Sequence, residues 1–139
     1  MSETMTVRWT GGMSFTATSK FGMEMRADAS KQVGGEESAP SPGEYLYFAA
    51  AGCTGMDVIS ILNKMKQEVS SYTITLEVDR HMGDYPRPIT KLKVIHTLSG
   101  PNLDPEAVEK AVKLSDEKYC FVAASLRQPV EITAEYRIE

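Results

Sequence analysis

The run from Ser41 to Leu62 constrains the fold more than any other stretch of this chain. It opens with Ser41-Pro42-Gly43-Glu44: an N-cap serine, a proline in the first turn where its missing N–H costs nothing, and a glutamate placed to reach back to the serine's backbone N–H. Those four residues predict a capping box and fix where a long helix starts. From Tyr45 onward apolar or small side chains occupy nearly every face, so the helix is expected to be enclosed on several sides rather than to lie on a surface. Its centre, Ala49-Ala50-Ala51-Gly52, lacks the bulk to hold a neighbour away, so another helix, the protein's own sheet or a two-fold-related copy can approach closely there. Asp57 and several Gly, Ser and Thr residues interrupt the apolar run, which makes it a poor membrane span and a better core helix.

Strands flank this helix. Met5, Val7 and Trp9 alternate with Thr6, Arg8 and Thr10, Gly11-Gly12 supplies a turn, and Met13, Phe15 and Ala17 continue the pattern. After Phe21-Gly22 the alternation resumes with Met23, Met25 and Ala27, giving three short strands in all. Residues 29–41, rich in Gly, Ser, Glu and Pro, read as a mobile surface loop. Beyond the helix, Tyr72, Ile74, Leu76 and Val78 face one way, as do Leu92, Val94, His96 and Leu98, the pattern of an antiparallel pair. Asp104-Pro105 starts a second helix with Val108, Ala111 and Val112 as its buried stripe, and Ser115 reads as the N-cap of a third, with Leu114 and Tyr119 as its hydrophobic staple. Val130, Ile132, Ala134, Tyr136 and Ile138 alternate to the end as a closing strand. The order is βββ-α-ββ-αα-β, an α+β chain without internal repeats, and its 139 residues predict a single domain over 1–139.

Composition narrows the function classes. The net charge is −4 and Lys and Arg are scattered, so no basic face is offered to a phosphate backbone and nucleic acid is not an expected partner. The first residues, MSETMTVRWTGG, carry an early acidic residue and no apolar core or cleavage site, so they do not read as a secretory signal. A cytoplasmic protein that does not enter membranes is the expectation. Two cysteines, Cys53 and Cys120, in a reducing compartment are seldom a structural bridge; they are either buried small hydrophobes or redox groups. His81 and His96 have no Cys or His at metal-ligand spacing, so no metal site and no bound cofactor are expected. Met13, Met23, Met25 and Met56 fit core packing first and a greasy pocket second.

Taken together, Ser41-Pro42-Gly43-Glu44, then Gly52-Cys53-Thr54-Gly55-Met56-Asp57-Val58, then Leu114-Ser115-Asp116-Glu117-Lys118-Tyr119-Cys120, in this order of strands and helices, resemble the OsmC/Ohr family (osmotically inducible protein C and organic hydroperoxide resistance), in its OsmC-like branch. The resemblance covers nearly the whole chain. It implies an OsmC-like fold assembled as an intertwined homodimer, with long central helices packed against antiparallel sheets and two active sites at the subunit interface. It also implies reduction of organic hydroperoxides in oxidative-stress defence, one cysteine attacking and the other resolving, with recycling by an external dithiol such as a lipoyl group.

On that pattern Cys53 is the expected nucleophile and Cys120 the resolving thiol, because a thiolate that attacks an O–O bond is left as a sulfenic acid and a second thiol traps it as a disulfide. Cys53 lies about three turns into its helix, beyond the reach of the macrodipole, and Asp57 at i+4 opposes ionisation if it points at the sulfur. A cation is therefore required. In the hydroperoxide branch it is an arginine from an N-terminal loop, held by a glutamate near the helix start; here Gly11-Gly12-Met13 has no arginine, and Glu44 stands one place later than that glutamate. Arg80 is the first substitute and Arg26 the second, with Glu44 serving as cap, active-site residue or both. Asp57 is better explained by a hydrogen bond to a neighbouring backbone or side chain, and Lys118 counts only as a minor aid to Cys120. The alternative reading is a dimeric small-molecule-binding protein of this fold with little or no peroxidase activity; a purely structural oligomer ranks third.

Overall fold

Gly11 and Gly12 adopt φ of +105° and +56°, conformations that cost a side-chain-bearing residue but not glycine. They turn β1 (Val7–Trp9) back onto β2 (Phe15–Thr18), where Trp9 faces Phe15. The Trp9 indole Nε1 donates to the Gly12 carbonyl at 2.9 Å, closing the turn. β3 (Glu24–Ala27) pairs antiparallel with β2 from Phe15↔Ala27 to Thr18↔Glu24. The three expected strands thus form one sheet in the order β1-β2-β3. The computed structural model describes residues 2–139, and these divide into two compact units, one up to Phe48 and the other from Ala49 on.

The 29–41 segment is more structured than its composition suggests. The Asp28 carboxylate, almost wholly buried, accepts from the backbone N–H of Ala29 (2.8 Å), Glu36 (3.2 Å) and Ser38 (3.0 Å) and from Ser38 Oγ (2.6 Å). A 3₁₀ turn at Lys31–Val33 lies inside the loop so anchored. The Ser38 hydroxyl and N–H bonds hold the Asp28 carboxyl at about 2, well under its ordinary 3.8, since donors to a carboxylate favour its charged form. A group whose pKa is lower folded than unfolded stabilises the fold above the unfolded value and loses that contribution as pH falls through the folded one. Asp28→Asn should therefore lower the urea midpoint at neutral pH, and the gap from the parent should close between pH 3.8 and about 2. An unchanged gap across that window would show that the loop is held by something else.

The capping box forms as expected. Glu44 N–H donates to Ser41 Oγ (3.3 Å), and the Glu44 carboxylate accepts from Ser41 N–H (3.2 Å). The helix it starts, α1, runs Pro42–Lys64. By length and composition α1 is apolar enough to cross a membrane, but its buried residues are Ala50, Thr54, Val58 and Leu62, four apart and so one stripe on one face. The enclosure expected on several sides is not reached within the chain: Phe48 and Met56 are both 74% exposed. Met13 and Met23 are likewise exposed, so these three methionines do not fill the core, whereas Met65 packs against it. A neighbour approaches α1 closely at Gly55. A Cβ there would sit 2.9 Å from Ile74 Cδ1 of the following strand.

In the second unit β4 (Ser71–Arg80) and β5 (Ile89–Ser99) form an antiparallel ladder. Its register places Tyr72, Ile74, Leu76 and Val78 opposite Leu98, His96, Val94 and Leu92, the two sets read from alternation. The Tyr72 hydroxyl bonds His96 Nδ1 at 2.5 Å; burial raises the tyrosine to about 12 and lowers the histidine, against an opposing pull from Asp116. α2 (Pro105–Leu114) is capped by Asp104, whose side chain accepts from Glu106 N–H. Its Ala107 and Ala111 meet Val58 and Leu62 in the core, with Val108, Val112, Tyr72 and Leu98 packed around them.

Two expectations fail beyond α2. Ser115 does not cap a new helix: α2 continues into a single π turn over Ser115–Tyr119, and Cys120 caps α3 (Phe121–Arg127). Ser115 is fully buried and Tyr119 exposed, so the Leu114/Tyr119 staple has no helix start to serve. The closing strand is also absent from both sheets of the chain. Its apolar face, Val130, Ile132, Tyr136 and Ile138, is 64 to 88% exposed. Alternation marks a segment able to be a strand, but a strand exists only when an edge pairs with it, and no edge among the described residues does so.

Candidate functional site

The site lies in the second unit, where three elements converge. α1 presents Cys53, Thr54 and Asp57, and residues at i and i+4 share a helix face. The π turn is the decisive local feature: one extra residue in the turn lets Cys120 N–H donate to the Ser115 carbonyl at 2.8 Å, delivering Cys120 at the head of α3. The ligand atoms of Cys53, Asp57 and Cys120 all lie within 4.8 Å of one another. Both thiols are free, Cys53 half-buried and Cys120 buried. Sixty-seven positions separate them in sequence, yet the fold makes the sulfurs neighbours.

A buried hydroxyl chain sets the carboxylate. Ser115 Oγ donates to Asp57 Oδ2 (2.9 Å) and shares a 2.8 Å hydrogen bond with Thr54 Oγ1. Asp57 thus has the neighbour partner that sequence reasoning allowed for it, while Ser115 and Thr54 were missed. Ser115 carries the usual cap signal, a serine before a charged run. Nothing in the sequence tells that its hydroxyl turns inward.

Burial pushes the Cys120 thiol above its ordinary range, and the nearby Cys53 and Asp57 add to the rise, while the Ala123 N–H donated to its sulfur at 3.4 Å works against them. An anion beside a thiol disfavours thiolate. Asp57→Asn is therefore expected to lower the Cys120 pKa and to speed alkylation of Cys120 by iodoacetamide near pH 8, read by peptide mass spectrometry. An unchanged Cys120 rate would mean that the carboxylate points away from the sulfur.

Cys120 also lines a cavity of about 1020 Å³ with apolar walls from Leu92, Ile95, Val108 and Leu126, and with Lys113 and Arg127 among its charged groups. Arg127 is already paired with Asp116 at 2.5 Å. Arg80 ends β4 at a bulge, exposed, with its Nε on the Arg87 carbonyl at 2.9 Å; it does not line this cavity. Glu44 is engaged in the capping box. Arg26, in the first unit, reaches the Ser14 and Ser38 hydroxyls at 3.4 Å. Lys118 is exposed in the π turn, and His81 accepts from Gly83 N–H in the β4–β5 connection. The structure thus joins Cys53 with Cys120 and adds Asp57, while Arg80 Nε bonds the Arg87 carbonyl and Glu44 the Ser41 cap.

Comparison with known proteins agrees with this architecture. Residues 34–135 match the family described as OsmC-like protein. The chain belongs to that family. It is 36% identical to protein YhfA of Escherichia coli K12 over 132 residues, 95% of each chain. A hypothetical protein from Aquifex aeolicus is 29% identical in structural alignment, covering 91% of this chain and 88% of that one, with a TM-score of 0.77. An organic hydroperoxide resistance protein OsmC from Legionella pneumophila shares the fold at 20% identity, TM-score 0.60 and 90% coverage of each chain. The architecture is the α+β OsmC-like fold.

Proposed function

We propose that this OsmC-like protein is a cysteine-based peroxidase that reduces organic hydroperoxides. The observation that carries the reading is the pair of free thiols with sulfurs within 4.8 Å of each other. Cys53, the more accessible of the two, attacks the distal peroxide oxygen as thiolate; the O–O bond breaks, the alcohol leaves with a proton and Cys53 becomes a sulfenic acid. Cys120 then displaces water from that sulfenic acid, forming the disulfide. An external dithiol, of the lipoyl kind, reduces the disulfide and restores both thiols.

The apolar cavity beside Cys120 suits a hydrocarbon hydroperoxide. For the counter-charge we assign Arg80, which has no carboxylate partner among the described residues, or Lys113 of the cavity; separate substitutions to Met distinguish them by loss of kcat/KM. Glu44 enters as the residue that fixes the start of the helix bearing Cys53. The partner we propose is a second copy of the chain. The exposed Val130–Ile138 face and the open face of α1 at Phe48 and Met56 are what a two-fold assembly would cover. Two free thiols suit the cytoplasm. The test is turnover of cumene hydroperoxide by the purified protein with a dithiol, followed as hydroperoxide lost.

A specific observation favours a second reading, a dimeric small-molecule binder. Within residues 49–139 no basic side chain hydrogen-bonds either sulfur, and Asp57 stands beside both. If that reading holds, both thiols remain reduced after mild peroxide.

A further inference from the structure

We propose that Cys53, Cys120 and Asp57 form a binding site for a soft divalent cation of the zinc type, occupied only while both thiols are reduced. Sequence spacing offers no hint of it, because the third ligand arrives from a remote turn.

Two sulfurs and a carboxylate oxygen, all within 4.8 Å of one another, are the donor set that selects zinc over magnesium or calcium, since thiolates are soft ligands and the hard cations take oxygen. Tetrahedral zinc with Zn–S of about 2.3 Å needs sulfurs roughly 3.8 Å apart. The sulfurs already lie within 4.8 Å of each other, so at most a small contraction is needed. Cys53 and Asp57 are one turn apart on α1, so two ligands converge from a rigid element. Ser115 Oγ holds Asp57 Oδ2 at 2.9 Å, which orients the carboxylate and leaves Oδ1 without a hydrogen bond among the described residues. Metal-ligating carboxylates are commonly held this way by a neighbouring donor. The cavity reached by Cys120 gives an ion a way in. A divalent charge also resolves the conflict between a carboxylate and two thiolates in one half-buried place. Three protein ligands leave a fourth position open to water, as fits an ion that exchanges.

Ligation requires both thiols to lose their protons to solvent, and a disulfide removes both donors at once. Ion binding and oxidation are therefore mutually exclusive. A bound ion protects the thiols and blocks attack on peroxide, a consequence that rests on the peroxidase reading, whereas the ion site rests on geometry alone.

The probe is cadmium chloride added to the fully reduced protein, read by thiolate-to-cadmium charge-transfer absorbance in the ultraviolet. One equivalent per chain should saturate the band, and Cys53→Ser or Cys120→Ser should each remove it. Ser115→Ala, which keeps all three ligands, should weaken binding roughly 10- to 100-fold. Circular dichroism confirms that each variant is folded. No band at one equivalent in the reduced parent, or equal binding by the doubly substituted Cys53→Ser/Cys120→Ser chain, overturns the site whatever the peroxidase assay shows. A parent that binds cadmium yet turns over no cumene hydroperoxide upholds the site and removes the peroxidase reading.

Discussion

Cys53→Ser should reduce turnover of cumene hydroperoxide to the rate of the dithiol alone. Serine keeps the size of the side chain but not its chemistry: a hydroxyl is not ionised near neutrality and does not take an oxygen from peroxide. Cys53 sits half-buried on a helix face, so the substitution leaves packing nearly untouched and the loss is chemical. Cys120→Ser should behave differently. The first turnover survives, but the Cys53 sulfenic acid, with no thiol beside it, goes on to the irreversible sulfinic state. Mass spectrometry then shows two added oxygens on Cys53. Turnover surviving Cys53→Ser would remove Cys53 as the nucleophile, and equal losses with no over-oxidation would remove Cys120 as its resolver.

Leu62→Ala should destabilise the protein by about 2–5 kcal/mol, the usual cost of removing a fully buried leucine from a packed core. Leu62 and Val58 are completely inaccessible and meet Ala107 and Ala111, whose methyl groups have no rotamer to change, while larger side chains such as Ile61 and Met65 pack against the cluster. Domain stability is about 5–15 kcal/mol, so the variant is left with a small fraction of it, visible as a large drop in the urea midpoint. Leu62 stands nine residues after Cys53 on α1, and the stripe it ends, Ala50, Thr54, Val58 and Leu62, is what presents Cys53 and Asp57 to the turn carrying Cys120. Thiol pairing should loosen together with stability. A midpoint shift equivalent to under about 1 kcal/mol would mean that the core refills the space.

How much of this could be read from sequence follows from the range of the forces involved. The Ser41–Glu44 capping box is a contact within four residues and formed as read, as did the β4–β5 faces, because alternation along a strand is local. The buried stripe of α1 was harder: small and apolar residues occupy every face, and only packing decides that Ala50, Thr54, Val58 and Leu62 go inward. Ser115 carried the local signal of a helix cap but is drawn inward by Asp57 and Thr54, a tertiary hydrogen-bond pair that outweighs the cap preference. The π turn, which determines where Cys120 lands, has no dependable sequence signature. Val130–Ile138 has a strand's pattern without a strand's partner in this chain. Cys53 and Cys120 were legible as chemistry and through family resemblance, never as neighbours, whereas Asp57 at i+4 from Cys53 was legible by helix spacing alone.

The most direct test is a peptide map of the reduced protein after one equivalent of cumene hydroperoxide, run without reductant. One dominant product is expected, a peptide pair joined through Cys53 and Cys120, two hydrogens lighter per chain than the starting material. Both thiols still reduced, or Cys53 stopped as sulfinic acid in the unsubstituted protein, would contradict it.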